Sequence, residues 1–259
     1  MWHTGTLDPL ATWCLLVAVW EYTKLIPYIE KAQKTYRATI QLDGISPSLD
    51  SDTEISYISS HDQKRFSESL SIQNIEEIMQ KHFLGKISQI PPKYSALKIW
   101  GKRALDRTLA GEDVTMQARD AEILDYKILW FSYPSLELEI TVSAGTYIRS
   151  IARDIWEQVW SGGYISALRR TKIDTLDIWQ AVDMDSVSGE NTVSPGDIFP
   201  EMIHIFTDET VYQRLGNGQR VKHECDLPEN KDIFLFDGNV IRYVVEYKHS
   251  VLHPRKKIV

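Results

Sequence analysis

The chain has 259 residues, 43% of them apolar and 25% charged, with a formal charge of −7 at neutral pH. Those proportions are ordinary for a globular protein, and the length suffices for one large core or a core with a small second domain. No apolar run is long enough to span a bilayer and no signal peptide is visible, so a cytoplasmic protein is expected. Two distant cysteines, Cys14 and Cys225, and seven scattered histidines argue against a disulfide framework and give no metal-ligand spacing.

From the start, His3-Thr4-Gly5-Thr6-Leu7-Asp8-Pro9 places one acid among small and apolar neighbours. Gly5 can take angles other residues avoid, and Pro9 fixes φ just after the acid. Asp8 reads either as a carboxylate held on a rigid loop, a nucleophile or base, or as the N-cap of a helix over 10–32. Tyr36 to Leu42 alternates as a half-buried strand, and residues 44–53 form a loop. Ser71 caps a helix over 72–83 that stops at Gly85. Pro91-Pro92 breaks the chain before Tyr94 to Lys98, and a short helix over 103–110 ends at Gly111. Strands follow over 122–130 and 136–142, then a helix over 146–159 and a strand region over 165–178. Residues 182–200 turn to Ser, Asp, Gly, Asn and Pro and read as a linker. The tail holds a helical turn near 210–215 and β runs over 233–236 and 240–247, joined by the hairpin signal Asp237-Gly238-Asn239.

Net acidity weighs against a nucleic-acid partner, but the charge is uneven. Asp43, Asp50, Asp52 and Glu54 cluster, while basic residues gather at Lys93, Lys98, Lys102, Arg103 and Arg107 and again at Arg169, Arg170 and Lys172. Phosphate contact needs local positive charge, although such runs are equally compatible with solvated surface.

HTGTLDPLAT, over residues 3–12, resembles the signature of the TruB family of tRNA pseudouridine synthases. Five further blocks continue the resemblance in order: Lys34-Thr35-Tyr36-Arg37, residues 89–98 (QIPPKYSALK), Gly101-Lys102-Arg103, residues 145–150 (GTYIRS) and residues 167–171 (ALRRT). The resemblance implies an α/β (α+β type) catalytic domain with a mixed sheet over 1–182, a linker over 183–200 and a small PUA-like β domain over 201–259. The implied activity is isomerisation of uridine 55 in the tRNA T-loop, with the base flipped into a pocket and no cofactor or metal needed. Asp8 matches the catalytic carboxylate. Tyr36 matches the tyrosine that stacks on the uracil and serves in proton transfer, and Arg169 the arginine that pairs with the aspartate. Read alone, Tyr36 is more often a core aromatic and Arg169 more often a surface ion-pair partner. His3 matches a contact to the flipped nucleotide. Tyr147 and Arg149 would shape the pocket floor, with Arg149 equally a structural ion-pair partner. Lys98, Lys102 and Arg103 would grip the T-arm backbone. The implied partner is tRNA, with no membrane, and a monomer is expected.

The chain departs from that pattern in two ways. Only Met1-Trp2 precede the motif, where the resemblance implies a leading β segment, so the expectation is a chain lacking its N-terminal segment. Trp2, Trp13, Trp20, Trp156 and Trp160 stand where the family pattern has glycine, and the 13 glycines among 259 residues fall below the usual ~7%. One reading is a gene in which UGA encodes glycine but is translated as tryptophan; the other is true substitution in a catalytically decayed RNA-binding protein of the same ancestry. Lesser departures, Ala167, Leu105 and Leu109, bear on RNA contacts. A third class, an Asp-dependent hydrolase of a small molecule, lacks a water-activating partner in the sequence.

Overall fold

The computed structural model describes residues 1–199, 203–224 and 226–259. The end of the expected linker at Pro200, the expected start of the second domain at Glu201, and Cys225 lie outside the described residues, as does the side chain of Trp13. The chain forms two compact units, one of residues 7–14 and 32–173, the other of residues 1–6, 15–31 and 174–259. Segments 1–6 and 15–31, which the sequence assigns to the catalytic domain, therefore group with the C-terminal strands.

The larger unit is built on a mixed sheet. Its strands are β1 (Thr12–Trp13), β2 (Lys34–Gln41), β3 (Gly85–Gln89), β4 (Arg119–Ser132), β5 (Ser135–Val142) and β6 (Tyr164–Ile173). The order runs β6-β2-β5-β4-β3 with β1 alongside β6. Successive neighbours along that row are antiparallel, whereas β1 runs parallel to β6, Thr12 opposite Arg169. Alternation in β5 buries Leu136, Leu138, Ile140 and Val142, as a strand with one covered face requires. Between β2 and β3 lie helices α1 (Ser60–Ser69) and α2 (Ile72–His82); α3 (Ala104–Leu109) precedes β4, and α4 (Ile148–Val159) links β5 to β6. Ile75 and Met79 of α2 and Ile151 and Ile155 of α4 share one core with Ala38, Ile40 and the β5 side chains.

The Ser71 cap forms as a full capping box: its hydroxyl accepts from the Asn74 amide, and Asn74 accepts from the Ser71 amide. Glycine is required where β6 begins against α4, because a Cβ on Gly163 would meet the Ala152 carbonyl oxygen at 2.3 Å.

The expected helix over 10–32 does not form. Residues 12–13 and 17–18 are extended, followed by a 3₁₀ turn (Trp20–Leu25) and one helical turn (Ile26–Ile29). Apolar spacing suggested a helix, but pairing of Thr12–Trp13 with β6 and the bond from the Cys14 amide to the Arg170 carbonyl draw this stretch into the sheet. Tertiary pairing here overrides local periodicity.

In the smaller unit, β7 (Ile203–Phe206) pairs parallel with β9 (Lys231–Asp237), and β9, β10 (Val240–Lys248) and β11 (Val251–Lys257) form an antiparallel run closed by β8 (Val221–Lys222). The helix α5 (Glu209–Gly216) packs Tyr212 and Leu215 onto Ile233, Leu235 and Val245. This five-stranded sheet is the PUA-like β architecture expected of the tail. Residues 181–192 are exposed throughout, as suits a polar connector.

Candidate active site

Asp8 sits in a tight turn, the Ala11 amide donating to its carbonyl. With no helix following, the N-cap reading of Asp8 does not hold, and its carboxylate turns to a cation. Arg149, in the first turn of α4, donates from Nε to Asp8 Oδ2 at 2.8 Å and from Nη2 to Asp8 Oδ1, a bidentate fork.

The guanidinium is fully engaged. Nη1 donates to the Ser48 carbonyl at 2.9 Å and lies 3.3 Å from Asp50 Oδ2, and Nη2 also donates to the Tyr94 carbonyl at 3.0 Å. Arg149 and Asp50 are buried, while Asp8 retains a quarter of its side-chain exposure. One cation thus fixes the catalytic-candidate loop, the 48–50 turn and the 94 loop. Asp50 is itself held by the Ser48 hydroxyl and the Asp52 amide. Leu49 between them takes φ 64°, a conformation uncommon for a non-glycine residue and typical of over-determined sites.

Burial raises the Asp8 carboxyl above its ordinary value; Arg149 opposes that rise, and Asp50 and Asp52 add to it. Tyr36 lies on β2 directly opposite Arg170 of β6. Burial likewise raises the Tyr36 phenol, against the pull of Arg170 and with a smaller push from Asp8. Arg170 is itself buried and donates from Nε and Nη2 to the Cys14 carbonyl at 3.1 and 3.0 Å.

The pairing expected of Arg169 is therefore made by Arg149. Side chains alternate along β6, so Arg170 turns into the protein while Arg169 is exposed, opposite Arg37 in the β2 register. Tyr147 caps α4: its amide donates to Gln89 Oε1 at 2.8 Å, and Gln89 Nε2 returns a bond to its carbonyl at 3.1 Å. Lys98, Lys102 and Arg103 occur together on an exposed two-stranded hairpin, Arg103 being forked to Asp106. His3 belongs to the other unit, where it is exposed and stacks on Trp2 with ring centroids 5.9 Å apart. The sequence reading did not single out Asp50, Ser48 or Arg170 for the site. Asp50 was hidden within an acidic run that reads as surface, and Arg170 beside an arginine of the same type.

The family model "TruB family pseudouridylate synthase (N terminal domain)" matches residues 1–148. The chain belongs to the TruB family. It is 37% identical over 184 residues to the tRNA pseudouridine synthase B of Phocaeicola vulgatus, covering 71% of this chain and 75% of that one. To the tRNA pseudouridine synthase B of Burkholderia lata it is 31% identical over 268 residues, covering 99% and 81%. Among solved structures, the fold matches a Cbf5–Nop10–Gar1 complex with a TM-score of 0.68 at 17% identity, over 99% of this chain and 76% of that one. An H/ACA RNP bound to a substrate RNA containing 2′-deoxyuridine matches at 0.69 and 15% identity, over 99% and 75%. This TruB chain thus carries the family's fold with a buried arginine that forks the Asp8 carboxylate and ties two further loops to it.

Proposed function

We propose that this protein isomerises uridine to pseudouridine in tRNA, at position 55 of the T-loop, with Asp8 as the catalytic carboxylate. The observation that carries the reading is the Asp8–Arg149 fork: a part-exposed carboxylate oriented by a buried guanidinium that other loops hold in place. The family membership and the relatives' names supply the substrate class. In the reaction the bond from N1 of the base to C1′ of the ribose breaks, the base turns, and C5 bonds to C1′. The proton on C5 is lost and one is gained at N1, so the exchange is redox-neutral. The base must leave its stack to be reached. Asp8 attacks the ribose or the ring, and Tyr36 supports the base and serves proton transfer at C5. Arg149 positions Asp8, the role that the family resemblance gave to Arg169. Lys98, Lys102 and Arg103 hold the phosphate backbone, and Tyr147 shapes the nucleotide's surroundings. The working form is a monomer in the cytoplasm.

The test is tritium release from C5-labelled uridine in a tRNA transcript, with Asp8→Asn as the comparison. The expected outcome is turnover by the parent chain, loss of at least about a thousandfold in the variant, as for removal of a nucleophile, and unchanged tRNA binding by both. A parent that binds tRNA without releasing tritium would instead mark a catalytically decayed RNA-binding protein, and turnover by Asp8→Asn would remove Asp8 from the chemistry.

A further inference from the structure

Eight non-glycine residues among those described take positive φ, and three of them are tryptophans: Trp20 at 47°, Trp100 at 49° and Trp160 at 59°. Tryptophan supplies eight of the 259 residues, and a bulky side chain in this region is a genuine outlier. Each of the three sits where local geometry asks for glycine. Trp160 is the C-cap of α4, left-handed at φ 59° and ψ 29°, its amide donating back to the Trp156 carbonyl; helices commonly end on a left-handed glycine. Trp100 and Gly101 are the two loop residues of the hairpin pairing Lys98–Ile99 with Lys102–Arg103, and both have positive φ, 49° and 85°. A two-residue hairpin loop with both residues left-handed selects glycine, asparagine or aspartate. Trp20 opens a 3₁₀ turn from the same region of backbone space.

The indoles gain little in return. They are 81%, 92% and 75% exposed at positions 20, 100 and 160, although tryptophan ordinarily repays its size by burying a large surface. The Arg107 guanidinium lies 5.5 Å from the Trp100 ring centroid, a surface contact that leaves that indole exposed, so none of the three tryptophans is at its glycine-type position for burial. The sequence pattern singles out Trp20 and Trp160 independently of these angles, and the backbone adds Trp100, which the pattern leaves unassigned.

We propose that positions 20, 100 and 160 are glycine in the protein as its organism makes it, the UGA codons there being read as glycine rather than tryptophan. The hairpin then carries a Gly-Gly loop, and α4 a glycine cap. The inference is independent of the catalytic reading, since it concerns the backbone at three places outside the Asp8–Arg149 pair.

The direct test reads codons 20, 100 and 160 in the gene and the masses of the corresponding peptides from the organism's own protein. Three TGA codons with glycine-mass peptides are expected; a TGG codon or a tryptophan-mass peptide at any of the three overturns the proposal there. A second measurement asks whether the backbone is the cause. In the full chain, Trp20→Gly, Trp100→Gly and Trp160→Gly should each raise the thermal midpoint by roughly 2–4 °C, with the matching alanine variants gaining less. Equal gains from glycine and alanine would show that indole bulk rather than left-handed backbone is at issue, and would overturn the argument.

Discussion

Arg149 serves two carboxylates at once, and that sharing sets what its replacement does. Arg149→Met leaves Asp8 and Asp50 without their cation, and breaking such a buried pair costs about 3–5 kcal/mol; urea unfolding measures it. Arg149→Lys keeps the charge and loses the planar fork. Burial already lifts the Asp8 carboxyl above its ordinary value, and losing the fork's hydrogen bonds lifts it further. With the ionised form as the working form, the acid limb of kcat/KM lies above the ordinary carboxylate value and moves to higher pH in Arg149→Lys. An unmoved limb would remove the pair from the rate. The stability sign is opposite to that of an ordinary salt-bridged acid. A carboxyl raised on folding favours the folded state below the unfolded value, and that contribution fades as pH climbs through the folded value.

At the scale of elements, the capping box at Ser71 is separable from the site. Ser71→Ala should cost about 1 kcal/mol with pseudouridine formation unchanged, read from paired melting and activity assays. The sequence made α2, α4 and the alternating strand β5 legible because their periodicity agrees with the faces they bury. It misread 10–32 because Leu10, Cys14, Leu15, Val17 and Ala18 carry helical spacing while the stretch is claimed by β6 and by short 3₁₀ and helical turns. Asp8 was legible as a carboxylate on a loop. Its partner was not, since Arg149 and Arg169 are both arginines in recognisable blocks, and the choice rests on which one the α4 start and the β6 pleat turn inward. Asp50 was illegible for a related reason: four acids in one segment look alike until one is buried against a guanidinium.

Over the whole molecule the charge of −7 coexists with a local basic hairpin, and the proposed RNA contact rests on that local arrangement. Replacing Lys98 and Lys102 with alanine should weaken tRNA binding across sequences and flatten the dependence of log Kd on log salt by about one unit per lysine; titrations at several salt concentrations measure it. An unchanged slope would place the RNA elsewhere. The site is also an object of long chain separation. Arg149 reaches back 141 residues to Asp8 and 101 to the Ser48 carbonyl, and such distant contacts form late because loop closure precedes their reward. Synthesis runs from the N-terminus, so Asp8 leaves the ribosome long before its partner exists. In a newborn chain that carboxylate therefore waits through 141 further residues for its partner, and the pair closes only after the residues that build α4 have been made.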